Sequence, residues 1–242
     1  MRIDDVPKPV FFRTNDPVPS ESATLAVAPS RPLPVLQADR LACRRGDRVL
    51  FHDLDFALAA GQMIWLRGNN GCGKTSLLRL LGGLGRPESG DVLWDGEPIR
   101  RAGAAYLSRL VFVGHTNALK GDFAVHEALH FMAALHQRPC DQATLKRALE
   151  TFGVASLWRA AVRTLSQGQK RRVALARLAL ETEPSVWILD EPFDALDVGG
   201  IERLNGVLNG HLGRGGSIIL TSHQPLDSAH LQPAVLELDR YR

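Results

Sequence analysis

Residues 68–75 read Gly-Asn-Asn-Gly-Cys-Gly-Lys-Thr, and this stretch constrains the fold more than any other part of the chain. Its spacing matches G-x-x-x-x-G-K-[ST], in which glycines let successive backbone N–H groups point into one concavity that cradles phosphates. An apolar segment, residues 63–66, precedes the loop and a helical pattern follows it, so a helix N-terminus adds a favourable field for anions. The loop therefore predicts a site for a nucleotide such as ATP, in which Lys74 reaches the β- and γ-phosphates and Thr75 ligates Mg²⁺. The predicted nucleotide-binding residues of this segment are Gly68, Asn69, Asn70, Gly71, Cys72, Gly73, Lys74, Thr75 and Ser76.

Apolar runs alternate with helical patterns from residue 35 onward. Strands are predicted at residues 54–58, 62–67, 91–96, 109–113, 186–189 and 217–221, and helices at 76–84, 125–135, 141–152, 169–180 and 200–212. Strands that alternate with helices predict a largely parallel sheet with right-handed crossovers. Residues 115–164 are mostly helical in pattern and separate two halves of this sheet, so we expect a helical subdomain there.

Composition limits the class of protein. The 242 residues suffice for one sizeable α/β domain, and 29 basic against 26 acidic residues make a mixed surface that does not argue for nucleic acid. The three cysteines form no CxxC pair, which suits a reducing cytoplasm. We find no apolar run of about 18 residues and no signal-peptide pattern, so we expect a soluble chain that reaches a membrane only through partners.

The N-terminal segment differs from the remainder. Residues 1–34 hold seven of the fourteen prolines and show no apolar period. Two explanations remain open, a disordered extension or a start codon assigned too early. In either case the folded domain is predicted to span residues 35–242.

A second segment supplies carboxylates. Residues 186–189 form an apolar strand pattern that ends in Asp190 and Glu191. At the carboxyl end of a strand, Asp190 can hold Mg²⁺, while Glu191 can orient and deprotonate an attacking water molecule. Acidic turn residues are common, so this interpretation depends on the phosphate loop that accompanies them.

A third segment predicts another anion site. In Leu165-Ser166-Gln167-Gly168-Gln169, Ser166 can cap a helix that continues through Arg177. The hydroxyl of Ser166, the open backbone at Gly168 and the helix dipole together favour an anion. Gln169 completes the segment as a further predicted nucleotide-binding residue, and 21 residues separate it from Glu191 in the sequence.

With these segments the chain resembles the ATP-binding-cassette family, whose signature reads Leu-Ser-Gly-Gly-Gln; here Gln167 replaces the first glycine. Ala195-Leu196-Asp197 is similar to the family's D-loop, and His223 to its switch histidine. The resemblance covers about residues 35–242. It implies an α/β fold of the P-loop NTPase type, with a mostly parallel sheet, an antiparallel β edge and a helical subdomain. It also implies ATP hydrolysis assisted by Glu191, His223 and Lys74.

The resemblance further implies a head-to-tail dimer of two cassettes. Ser166 and Gly168 of one cassette would contact the γ-phosphate that Lys74 holds in the other. Such a pairing explains why the signature segment has an anion site although it lies apart from the phosphate loop of its own cassette: the anion would come from the nucleotide bound to the other cassette.

Two positions depart from the general family pattern. His115 stands where most cassettes place a glutamine that touches Mg²⁺, and an imidazole can accept a hydrogen bond from metal-bound water. The alternative is a loop histidine without nucleotide contact. Many relatives also carry an adenine-stacking tyrosine before the phosphate loop, whereas Arg44 and Arg45 occupy that region here. They can stack by cation–π contact or serve as ordinary exposed arginines.

Several stretches are similar to the ATP-binding subunits of cytochrome c maturation, also called haem-exporter ATPases: residues 41–43, 49–51, 114–115, 120, 169–178, 187–193 and 221–224. This resemblance implies integral membrane partner subunits, a place at the cytoplasmic face of the inner membrane, and a link to haem only through partners. The alternative is the ATPase of a general small-metabolite transporter, which shares every catalytic residue. A cassette acting on ribosomes or DNA and a P-loop kinase fit the motifs less well.

Overall fold

The structure is a computed structural model that describes residues 34–226 and 231–242. The proline-rich N-terminal segment therefore lies outside the described residues, apart from Pro34, which begins the first strand. Within the described ranges, no helix combines the length and the apolar character needed to cross a bilayer.

A parallel sheet of five strands forms the centre of the fold, in the order β6-β7-β8-β3-β9. These strands are β3 (Met63–Arg67), β6 (Leu110–Val113), β7 (Val186–Leu189), β8 (Ser217–Thr221) and β9 (Ala234–Glu237). Every residue of β7 and β8 is buried, as expected for a parallel sheet whose two faces are both covered.

A second, antiparallel sheet has the order β2-β1-β4-β5. Its strands are β1 (Pro34–Arg45), β2 (Arg48–Ala59), β4 (Ser89–Trp94) and β5 (Glu97–Pro98). The pairing of β1 with β4 shifts register between Asp39 and Ala42. At this point Gly90 has a φ of 78°, and a Cβ there would collide with the carbonyl oxygens of Asp39 and Arg40. The close approach of the two strands therefore requires a glycine.

The helices are α1 (Lys74–Leu81), α2 (Ile99–Ala102), α3 (Ala104–Ser108), α4 (Val125–Leu135), α5 (Gln142–Thr151), α6 (Gln167–Leu175) and α7 (Val198–Gly213). Short 3₁₀ turns cover Ala155–Leu157, Val162–Thr164, Ala176–Leu180 and Leu238–Tyr241. Helices α4 and α5 lie between β6 and α6 in the chain, within the region where the sequence pattern is mostly helical.

Alternate residues of β7 enter two different cores, because successive side chains of a strand point to opposite faces. Trp187 and Leu189 pack with apolar residues of α4 to α7, whereas Val186 and Ile188 pack with α1 and the antiparallel sheet. The parallel sheet is thus a middle layer between helices and the second sheet, and the predicted α/β fold class is confirmed.

The predicted elements differ from the observed ones in several respects. The strand predicted at 54–58 is the second half of the longer β2, and the short elements β5, α2 and α3 were not predicted. The helix expected at 169–180 begins at Gln167, because Ser166 is its N-cap, and it tightens into a 3₁₀ turn after Leu175. Strands β1 and β9 were not predicted: register shifts interrupt the alternation of β1, and β9 has only four residues.

Candidate functional site

Four loops meet at one edge of the parallel sheet. They follow β3, β6, β7 and β8, and since parallel strands share a direction, all four leave at the same carboxyl edge. These loops carry Gly68, His115, Asp190 and His223, which sequence analysis had placed in one site.

The loop of residues 68–75 curls around the ammonium group of Lys74. Gly68, Gly71 and Gly73 have φ angles of 148°, 74° and 112°, a region that side-chain-bearing residues rarely adopt. Lys74 Nζ donates to the carbonyl oxygens of Gly68 at 2.7 Å and Asn69 at 3.3 Å. Helix α1 begins at Lys74 and has no acidic residue in its first turn. The loop is therefore a concavity that favours anions.

Other predicted residues of this loop differ in exposure. Asn69, Asn70, Gly71 and Thr75 are exposed, and Ser76 is partly buried. Cys72 is fully buried, and its Sγ lies 2.7 Å from the place that a Cβ on Gly68 would occupy. The thiol thus fills the space beneath the loop.

The C-terminal segment supports the same loop. Asp239 Oδ2 accepts a hydrogen bond of 2.7 Å from the Asn69 N–H, across 170 residues of sequence. Arg67 forms an ion pair with Glu237, with 3.4 Å between Nη1 and Oε1. Asp239 is not among the predicted site residues, and no motif or spacing indicates it.

Asp190 connects the phosphate loop with β8. Its Oδ2 accepts from Thr75 Oγ1 at 3.0 Å, and its Oδ1 accepts from Thr221 Oγ1 at 2.8 Å. The residue is only 4% exposed. Hydroxyl and carboxylate oxygens are ligands that Mg²⁺ prefers, so Thr75 and Asp190 together could hold this cation. Thr221 was also missed, although its position at the end of a buried strand next to the site is a usable signal.

Glu191 has an unusual backbone and a defined orientation. Its φ is 48°, and its N–H donates to Thr221 Oγ1 at 2.9 Å. Its Oε2 accepts the His223 N–H at 2.9 Å, while its Oε1 lies 3.5 Å from His223 Nε2. The left-handed conformation of a non-glycine residue is strained and is typical of functional sites. The side chain is 10% exposed, and the preceding residue, Asp190, binds Thr75 of the phosphate loop.

The signature segment begins α6. Ser166 Oγ accepts from the Gln169 N–H at 3.2 Å, and Gln169 Oε1 accepts from the Ser166 N–H at 2.9 Å. This reciprocal capping box leaves Ser166 exposed at the helix N-terminus. A Cβ on Gly168 would lie 2.7 Å from the carbonyl oxygen of Ala195, in the predicted D-loop. Close packing of the two segments is therefore a second reason for a glycine at this position.

The remaining candidates lie at the margin of the site. The His115 side chain is largely exposed, and its Nδ1 lies 3.9 Å from Asp194 Oδ2. Arg44 and Arg45 are exposed at the end of β1, and Arg44 Nε forms an ion pair of 3.1 Å with Glu88. Their suggested contacts with metal-bound water and adenine stay predictions.

Comparisons with known proteins agree with this geometry. The model of the ABC transporter family matches residues 51–194. The cytochrome c biogenesis ATP-binding export protein CcmA of Albidiferax ferrireducens is 46% identical over 206 residues, covering 85% of this chain and 98% of that protein. CcmA of Escherichia coli O6:H1 is 46% identical over 195 residues, covering 81% and 92%. CcmA of Dechloromonas aromatica is 47% identical over 193 residues, covering 80% and 94%.

Solved structures show the same fold. An ABC transporter ATP-binding protein from Pyrococcus furiosus has a TM-score of 0.73 and 24% sequence identity, covering 85% of this chain and 98% of that one. The ATP-binding subunit of another ABC transporter also has a TM-score of 0.73, with 23% identity and coverage of 84% and 86%.

Proposed function

The chain belongs to the ABC transporter family, and from that premise we propose that it is the ATP-hydrolysing subunit of a cytochrome c biogenesis export system. Its role is to couple ATP hydrolysis to haem export or to release of a haem-loaded chaperone. The observation that carries this function is the 46% identity to CcmA over 85% of the chain. A general small-metabolite transporter, the alternative left by the motifs, has no comparable support.

The phosphate loop binds the triphosphate of ATP. Its N–H groups and the start of α1 face the phosphates, and the Lys74 ammonium, held inside the loop by two carbonyl oxygens, neutralises their charge. Thr75 and Asp190 would hold Mg²⁺, because their oxygens converge at 3.0 Å and are hard ligands. When bound, this cation supplies positive charge to the phosphate oxygens.

Glu191 is the base for the attacking water. The His223 N–H and the strained backbone aim its carboxylate, which takes a proton from water as the water oxygen bonds to the γ-phosphorus. The bond between the γ-phosphorus and the β–γ bridging oxygen breaks, and ADP leaves. The His223 side chain lies at the same carboxylate, with Nε2 3.5 Å from Glu191 Oε1.

The signature segment serves a second cassette. Ser166 is exposed at the N-terminus of α6, beside the open backbone of Gly168, and this end of the helix favours an anion. We assign it to the γ-phosphate bound by a partner cassette, in a head-to-tail homodimer closed by two ATP molecules. Hydrolysis removes the shared phosphate and lets the two halves separate.

The export system places this subunit against integral membrane subunits at the cytoplasmic face of the inner membrane. CcmA relatives are named as export proteins, which supports association with a membrane complex. Haem is handled by these partners, and nucleic acid has no part in the proposed function.

Gene deletion with complementation tests this function. We expect deletion to abolish covalent haem staining of c-type cytochromes, the wild-type gene to restore it, and Lys74→Ala to fail. Lys146→Ala removes the same side chain from an exposed position of α5 and serves as the matched control. Normal haem staining in the deletion strain would overturn the assignment to cytochrome c biogenesis while leaving the ATPase site unaffected.

A further inference from the structure

Arg171 of α6 carries a buried guanidinium group whose hydrogen bonds, among the described residues, reach neither the phosphate loop nor the signature residue Ser166. The residue is 3% exposed. A guanidinium carries five N–H donors, and five oxygen acceptors surround this one. The acceptors are the carbonyl oxygens of Gly114 (3.1 Å), Asp190 (3.1 Å), Glu191 (2.6 Å) and Pro192 (3.3 Å) and the Asn117 side-chain oxygen (3.3 Å).

Three of these acceptors are consecutive carbonyl groups of the turn that carries the catalytic carboxylates. Asp190, Glu191 and Pro192 each direct a main-chain oxygen at the guanidinium. Glu191 has a φ of 48°, a conformation that persists only where its surroundings hold it. The Glu191 N–H is held by Thr221, and its carbonyl oxygen makes the shortest bond to Arg171.

The other acceptors lie in the loop after β6. Gly114 precedes His115, and Asn117 follows it, so Arg171 fixes both sides of this histidine. Arg171 itself lies in the helix whose N-terminus carries Ser166. One side chain thereby links the catalytic turn, the loop of His115 and the signature helix.

Neighbouring oxygens offset part of the cost of burying this cation. Burial lowers the pKa of Arg171, while the carboxylates of Asp194, Asp190 and Glu191 act in the opposite direction. The planar fork of arginine matches acceptors in several directions, which a lysine ammonium with three donors cannot do.

We propose that Arg171 is a positioning residue for ATP hydrolysis: it holds the turn of residues 190–192 in the conformation that aims the Glu191 carboxylate at water. This inference rests on the ATPase part of the proposed function and is independent of haem. A residue that acts through the orientation of the base affects turnover more than nucleotide binding, because Lys74 and the phosphate loop remain intact.

Arg138 provides a matched control for the loss of a partly buried guanidinium. It donates to Glu181 at 2.8 and 2.9 Å and to the carbonyl oxygens of His136 and Ser108 at 3.1 and 3.0 Å. Its partners belong to the segments around α3, α4 and the turn after α6, so it lies outside the catalytic turn.

The experiment compares Arg171→Gln, Arg171→Lys and Arg138→Gln in the full-length chain, assayed in membrane vesicles from the cells that produce it. We expect Arg171→Gln to lower kcat by about 100-fold, as small displacements of catalytic groups do, with KM for ATP within about threefold of wild type. Arg171→Lys keeps the positive charge and some of the hydrogen bonds, so we expect its kcat to lie between those of Arg171→Gln and the wild type. This variant replaces Arg171→Gln in the test if Arg171→Gln does not fold.

Thermal midpoints separate positioning from stability. Arg138→Gln is expected to lower the midpoint while keeping kcat near the wild-type value, whereas both Arg171 variants lose kcat at temperatures where they remain folded. An unchanged kcat in folded Arg171→Gln and Arg171→Lys, or a rise in KM without a loss of kcat, would overturn the positioning role. Because the readout is ATP turnover, a negative result in the haem-staining test leaves this test unaffected.

Discussion

His211 makes the stability of the fold depend on pH. It lies in α7 with 0% exposure and stacks on Trp187 with ring centroids 3.7 Å apart and planes 7° apart. Its Nε2 is 2.9 Å from the Ser185 carbonyl oxygen, which can only accept, so Nε2 carries the proton of the neutral ring. Burial lowers the pKa of His211 from 6.5 to about 4, against a smaller upward effect of the Ser185 carbonyl.

The sign follows from comparing the folded and unfolded states. As pH falls below 6.5, the unfolded chain takes up a proton at this histidine, whereas the folded protein does so only near pH 4. The contribution of His211 to the free energy of unfolding is therefore fully present well above pH 6.5. It is lost progressively as the pH falls towards 4. A pKa lowered from 6.5 to about 4 corresponds to about 3 kcal/mol in total. Between pH 7.5 and 5.5 the loss in unfolding free energy is about 1 kcal/mol.

Urea denaturation of the wild type and of His211→Gln at pH 7.5 and 5.5 measures this contribution. Glutamine keeps an N–H donor for Ser185 and does not titrate, so the variant is less stable overall but should lose less stability on acidification. Other groups, such as His136, whose pKa is lowered chiefly by burial, titrate in both proteins and cancel in the comparison. Equal losses in the two proteins would refute the assignment of a depressed pKa to His211.

Two further predictions concern the site. Gly168→Ala should lower the free energy of unfolding, measured by urea denaturation, by about 1 kcal/mol, because overpacking against the Ala195 carbonyl oxygen outweighs the gain in helix propensity. Gly206→Ala in α7 is the control, because a Cβ there meets nothing within 4 Å. This control variant should raise the free energy of unfolding by about 0.5–1 kcal/mol. Glu191→Gln keeps a side-chain oxygen for the His223 N–H but removes the base, so turnover should fall by about 10²–10⁴-fold and an ATP-bound dimer should accumulate in sedimentation experiments with Mg-ATP. A variant that stays monomeric at saturating Mg-ATP would contradict the head-to-tail arrangement.

Much of the fold could be predicted from short-range patterns. The bounds of α4, β7 and β8 were predicted to the residue, because their apolar spacing and flanking turn residues act locally. Short or irregular strands carry too little local signal, which is why β1, with its register shifts, and the four-residue β9 were missed.

The sequence by itself was enough to predict which residues come together at the candidate site. The glycines and Lys74 of the phosphate loop, the carboxylates after β7 and the capped signature helix each depend on neighbouring residues, so local spacing is enough to recognise them. The parallel order of the strands then accounts for their meeting at one edge.

Only the tertiary structure decided what holds these groups in place. Arg171, Thr221 and Asp239 bind site residues that are 19 or more positions away in the chain, and the Asn69–Asp239 bond spans 170 residues. Such contacts depend on how the layers pack, and the short motifs that contain or flank these side chains do not show which partners they bind. The local pattern therefore predicts the groups that we propose to react, while long-range packing determines their orientation.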